Sequence, residues 1–199
     1  MISTKYIARI LKTGKSIGNH NLSVCQFVNL VICAVLLTSC NVENTYSGHQ
    51  CYFIFSTEMH PSTVLMGSIT GDNGFCLVYK GPHKGVNKVF VEKYGTTDEN
   101  SPYAYTTGIE PTVESLVIGW DNGLLIGYSA IEGKILAFDR HCPRCENNAK
   151  AKLQWNGNTR SVKCPVCGTP YDLSISGNGL DLYYNATYDG RFLRVVNGR

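Results

Sequence analysis

Beyond residue 50 the chain alternates short apolar runs with polar, glycine-bearing joins, and the run lengths are those of strands rather than helices. The candidate strands are Tyr52–Phe55, Thr63–Ile69, Phe75–Lys80, Lys88–Tyr94, Glu114–Trp120, Leu124–Ala130, Lys134–Asp139, Leu182–Tyr188 and Arg191–Val196. Turn chemistry stands at Gly71-Asp72-Asn73-Gly74, Asp121-Asn122-Gly123, Glu132-Gly133 and Asp189-Gly190, where Gly, Asn and Asp accept backbone angles that other residues resist. Leu153 to Val162 predicts one more hairpin, turning at Asn156-Gly157. No window keeps a helical period over three turns. The pattern therefore predicts an all-β fold, an antiparallel sandwich or barrel. Residues 95–113, with Pro102 and Pro111, read as an exposed loop. Residues 51–199 read as a single β-rich domain with no internal repeat.

The first fifty residues follow a different pattern. Lys5, Arg9, Lys12 and Lys15 precede an apolar run from Phe27 to Thr38, and no acid occurs before Glu43. A run of that length is too short to span a membrane comfortably and matches the core of a secretory signal. It ends in Leu37-Thr38-Ser39-Cys40, which resembles the lipobox of bacterial lipoproteins: an aliphatic residue, two small ones, then the cysteine that is lipidated. The resemblance implies a signal peptide over 1–39, a lipid anchor on Cys40, a short polar tether over 40–50 and a location in the cell envelope, facing away from the cytoplasm. A plain signal peptide or a buried apolar strand are the alternatives. The basic stretch before Phe27 is long for a signal peptide, as a misplaced start codon would make it. Cys25 and Cys33 would be discarded with the leader.

Composition adds two points. Of 199 residues, 43% are hydrophobic and 17% charged, which fits a globular chain. The net charge of +3 comes from the leader: from Cys40 onward fourteen Lys and Arg face fifteen Asp and Glu, a net of −1. The mature chain has no electrostatic footprint for nucleic acid.

The chemistry concentrates in two short motifs. Cys142-Pro143-Arg144-Cys145 is followed, nineteen residues after Cys145, by Cys164-Pro165-Val166-Cys167-Gly168. Cysteines at i and i+3 of a tight turn aim both sulfurs at one point, and a pair of such turns makes a tetrahedral four-thiolate site. Proline fixes φ within each turn, and Gly168 permits a positive φ after the second. Arg140, Arg144, Lys150, Lys152, Arg160 and Lys163 lie close enough in sequence to offset the negative charge of four thiolates, or form an ordinary solvated surface. Two disulfides are the competing reading for an exported chain. Cys51 and Cys76, on separate strand candidates, are a further candidate disulfide, with two buried free thiols as the alternative.

The residues around these motifs resemble a Rieske iron–sulfur domain over about 114–199. The stretches that carry the resemblance are Ile135 to Cys142, Val162 to Leu173, and the closing hairpin Leu182 to Val196. In that family a C-x-H loop and a C-P-x-H-G loop hold a 2Fe–2S cluster. Cys142 and Cys164 fall on the family's two cysteines, and Gly168, Tyr171 and Asp172 fit the positions after the second loop. Arg144 and Cys167, however, stand where the two histidines belong, and Cys145 follows Arg144. A Rieske cluster needs histidine on one iron. The expectation is therefore a Rieske-like frame with a zinc-ribbon-like or rubredoxin-like tip, at about 139–172. Zinc is the first expected metal, then rubredoxin-type iron, then an all-cysteine 2Fe–2S cluster.

His141 lies on the wrong side of the first turn to act as a ligand and reads as a surface residue. His49, His60 and His83 are isolated, and Trp120 and Trp155 read as packing or loop anchors. Asn185-Ala186-Thr187 matches a glycosylation sequon by chance in such a context. With no nucleophile–base order, phosphate loop or paired carboxylates, an enzyme reading has no support. Three functions stay open: a non-catalytic envelope lipoprotein stabilised by its metal, an electron carrier with a redox partner, and thiol–disulfide exchange by one cysteine pair.

Overall fold

The computed structural model describes residues 46–198 apart from 72, 73, 95, 106, 107, 109, 146 and 175–178. The expected signal peptide over 1–39 and the expected lipidation site, Cys40, lie outside the described residues. The chain is mostly β, as its pattern predicts. In chain order the strands are β1 Cys51–Ser56, β2 Phe75–His83, β3 Val86–Lys93, β4 Thr96–Thr97, β5 Val117–Ile118, β6 Gly123–Ser129 and β7 Lys134–Asp139. There follow β8 Gln154–Trp155, β9 Ser161–Lys163, β10 Pro170–Asp172, β11 Tyr183–Tyr188 and β12 Phe192–Val196. Nine form one antiparallel sheet in the order β4-β3-β2-β6-β7-β11-β12-β1-β5, and the other three form a small sheet, β10-β9-β8.

The large sheet bends back on itself at β11. Tyr183 and Tyr184 pair with β7, while Asn185–Tyr188 pair with β12, so the strand passes from one layer to the other. The inward faces meet in one apolar cluster, with Phe53, Phe55, Leu193 and Val195 from one side and Val78, Val89, Val91 and Ile126 from the other. Both ends of the sheet are strands of two residues, which leave little exposed edge.

Strands β2, β6 and β7 are buried on both faces. Cys76, Val78, Leu124, Ile126 and Ala137 point into the main cluster, while Phe75, Leu77, Leu125, Leu136 and Phe138 point the other way. The second face is covered by Leu153, Val162, Tyr171 and Leu173 of the small sheet and its flanks. This is why these strands read as continuous apolar runs, whereas β12 alternates. The small sheet, inserted between β7 and β11, is thus fixed to the body by its apolar side.

Several expectations are corrected. Thr63–Ile69 is not a strand but a helix, α1, with Leu65 and Ile69 buried one turn apart. Ser62 caps it: its hydroxyl accepts from the Leu65 N–H at 3.0 Å and donates to Asp98 at 2.8 Å, while Asp98 also accepts the Val64 N–H. The Gly71–Gly74 turn therefore joins a helix to a strand. The stretch expected to be an exposed loop, 95–113, is partly buried among its described residues, at Asp98, Tyr103, Glu110 and Val113. Glu110 accepts the Ser56 N–H at 2.6 Å and lies 2.6 Å from His60 Nε2, which ties the segment to β1. Of Glu114–Trp120 only Val117–Ile118 is strand, after a 3-10 turn at Val113–Ser115.

Cys51 and Cys76, the candidate disulfide, are not bonded to each other in this structure. Both are free and buried, and four strands separate β1 from β2 in the sheet order. The Cys51 thiol donates to Val195 O and the Cys76 thiol to Ile126 O. Burial pushes both thiols up to about 12, so they stay protonated. Residues 46 and 47, inside the stretch expected to be a tether, already lie on the sheet. The Ser47 N–H donates to Tyr183 O at 2.9 Å, and Tyr46 bridges to Tyr183, so the chain is on the sheet before β1 begins.

Candidate metal centre

The first cysteine turn grows from the end of β7. Cys142 is followed by a 3-10 turn over Pro143–Cys145, closed by the Cys145 N–H donating to Cys142 O at 3.0 Å. The chain then returns: the Cys142 N–H donates to Ala151 O, and the Leu153 N–H donates to Arg140 O. The second turn joins β9 to β10. It is closed by the Gly168 N–H donating to Cys164 O and the Cys164 N–H to Thr169 O, both at 3.0 Å. Gly168 has φ +72°, the left-handed geometry its position predicts.

The two turns bring Cys142, Cys145, Cys164 and Cys167 together, with all four sulfurs within 4.8 Å of one another. The short approaches run between turns, with Cys142 Sγ 3.7 Å from Cys167 Sγ and Cys164 Sγ 4.0 Å from Cys145 Sγ. A tetrahedron with zinc–sulfur bonds of about 2.3 Å has edges of roughly 3.8 Å. The four free thiols therefore fit around one ion, and the site can hold a metal. Cys142 and Cys164 are buried and Cys167 is exposed, so the centre sits at the surface of the tip.

The local polar groups favour thiolate unevenly. The Thr169 hydroxyl, 3.2 Å from Cys167 Sγ, and the Thr169 N–H hold Cys167 down to about 6. Cys145 is pushed up to about 12, first by lost hydration and then by its three sulfur neighbours. Burial raises Cys142, opposed by the Tyr171 hydroxyl 3.2 Å from its sulfur. The Val166 N–H donates to Cys164 Sγ at 3.4 Å. Packing sulfurs this closely without a cation favours the protonated forms, and a bound divalent ion reverses that balance.

Two of the six nearby cations are engaged elsewhere. Arg140 donates from Nε to Leu153 O at 3.0 Å and lays its guanidinium over the Tyr79 ring. Lys152 lies 3.8 Å from Asp121. Arg144 and Lys163 are exposed beside the cysteine turns.

His141 corrects the surface reading. It is fully buried, with Nδ1 2.5 Å from Asp121 Oδ2 and Nε2 3.0 Å from Cys145 O. Its ring stacks on Trp120, with centroids 4.4 Å apart and planes 8° from parallel. Behind it Asp139, itself buried, accepts the His141 N–H and the Trp120 N–H, each at 2.8 Å, and the Tyr184 hydroxyl at 2.6 Å. Ser47 donates to the Tyr184 oxygen. Gly119 makes room for this: with φ +63°, a Cβ there would come within 2.5 Å of Asp139 Oδ2. A sequence signal for this cluster is the pair of aspartates, Asp121 and Asp139, that end apolar stretches, although Asp121 meets His141 twenty residues on and Asp139 meets Tyr184 forty-five residues on.

Among the described residues no helix is long and apolar enough to cross a membrane, which leaves β-barrel spanning unaddressed. The chain matches no protein-family model, no curated protein and no solved structure.

Proposed function

We propose that this chain is a non-catalytic envelope lipoprotein in which Cys142, Cys145, Cys164 and Cys167 bind one zinc ion that holds the tip together. The observation that carries the reading is the mutual approach of the four sulfurs to within 4.8 Å. That spacing favours a single ion over a 2Fe–2S cluster, whose bridging sulfides would part the thiolates into two pairs a cluster length apart. The inserted small sheet with a cysteine turn at each side is compatible with a Rieske-like frame that has lost its histidines. Zinc, having no redox chemistry, would act there as a staple.

The anchor reading rests on Leu37-Thr38-Ser39-Cys40. Because the chain is on the sheet by Tyr46, the six residues from Cys40 would hold the domain within about 20 Å of a membrane surface. Partners would then be envelope proteins next to that membrane.

A second reading, an electron carrier with rubredoxin-type iron and a redox partner, is favoured by one observation. Cys167 is exposed, which brings the metal within reach of a docked molecule.

Elemental analysis and an absorption spectrum of protein purified without added metal test both. One equivalent of zinc and no colour is expected; a coloured iron protein with a reversible redox signal favours the carrier. A metal-free protein with two disulfides overturns both. Incorporation of labelled palmitate, abolished in Cys40→Ala, is expected for the anchor, and incorporation unchanged in that variant overturns it.

A further inference from the structure

The four sulfurs are not the whole of the centre, because the first turn hangs on a side chain that contributes no ligand atom. Both ring nitrogens of His141 face oxygens: the Asp121 carboxylate at Nδ1 and the Cys145 carbonyl at Nε2. The Cys145 carbonyl cannot donate, so Nε2 carries hydrogen and donates to it. The same carbonyl accepts the Asn148 N–H at 2.9 Å. Both of its lone pairs are thus used, which fixes the peptide plane immediately after a ligand cysteine. Asp121 and the Trp120 ring in turn fix the imidazole, so its position comes from the loop before β6 rather than from the cysteine turn itself.

We infer that His141 is a positioning residue for the metal: it links the body of the protein to Cys145 and keeps that sulfur aimed at the ion. The inference rests on the metal reading given above. Groups that hold metal ligands from behind, without touching the ion, change metal affinity by about 10–100-fold when removed. The part of His141 that matters is the Nε2 donor. Glutamine places an amide nitrogen close to where Nε2 lies, whereas asparagine places one close to Nδ1. His141→Gln therefore keeps the bond to Cys145, and His141→Asn keeps only the bond to Asp121.

The experiment measures zinc dissociation into excess chelator for the full chain and both variants, with Co(II) spectra of each and chemical denaturation of the metal-free forms. His141→Asn is expected to release zinc about 10–100-fold faster than the native chain and to shift the Co(II) ligand-field bands. His141→Gln is expected to stay within a few-fold of native in both. If the two variants release zinc equally fast, or neither differs from native, the inference is overturned while the metal reading stands. The same holds if the change follows loss of metal-free stability and leaves the Co(II) bands in place. If the native chain binds neither ion, both fall together.

Discussion

In the body of the molecule, long strands close over Phe53, Phe55, Leu193 and their neighbours, and the cluster needs nothing but burial. In the tip, the strands are two or three residues long, and their cluster ends at the cysteines: Cys142 and Cys164 are themselves among its buried residues. Strands that short cannot hold a sheet alone. The tip borrows one wall from the body, the outer faces of β2, β6 and β7, and leaves its far side to four sulfurs placed to hold a metal. The difference teaches where stability comes from. Apolar area suffices where strands are long enough to enclose it, and a small insertion that cannot enclose a core can use coordination bonds instead.

Metal removal is the largest test of that contrast. Binding of structural zinc to isolated finger peptides is worth on the order of 10 kcal/mol or more. Chelation is expected to abolish hydrogen-exchange protection in β8, β9 and β10 while leaving β1 and β12 protected. Equal loss in both regions would mean that the body depends on the metal too.

Truncations of buried side chains come next. Phe53→Ala should cost about 3–5 kcal/mol and Leu153→Ala about 2–5 kcal/mol, read by chemical denaturation. The two should differ in kind. Phe53→Ala is expected to lower the stability of the metal-free and metal-loaded forms alike, and Leu153→Ala to weaken metal retention as well. If Phe53→Ala also loosened the metal, the two regions would be one cooperative unit.

A smaller effect is expected at Gly168. A Cβ there meets nothing closer than Lys163 Cε at 3.9 Å, so Gly168→Ala isolates the cost of the left-handed backbone, about 1–2 kcal/mol. It should appear as weaker zinc binding with an unchanged transition for the body. The smallest effect belongs to the core thiols. Alkylation of the native chain should spare Cys51 and Cys76, and alkylation in denaturant without reductant should label both. Failure to label them would restore the disulfide.

Much of the architecture was legible in advance because its signals are local. Lys134–Asp139 matches β7 at both ends, and the turns at Glu132-Gly133, Asn156-Gly157 and Asp189-Gly190 join strands that pair. The helix α1 is not legible in Thr63–Ile69 because the evidence for it is not in its own residues. Seven residues show barely two helical turns, and the cap that stabilises it works with Asp98, thirty-six positions from Ser62. Residues 95–113 look exposed by composition, yet two of their acids are held from outside the segment, Asp98 by Ser62 and Glu110 by the Ser56 N–H and His60.

The sequence by itself determined the cysteine quartet, because two turns with sulfurs at i and i+3 are written in adjacent residues. It also determined the β character, because strand periods and turn residues are read over a few positions. Only the tertiary structure decided which faces are inside, that Cys51 and Cys76 point at different carbonyls, and that His141 is buried behind Cys145. Those facts depend on strands and loops distant in the chain arriving at the same place, and a buried polar group reveals its role only through the partner that satisfies it.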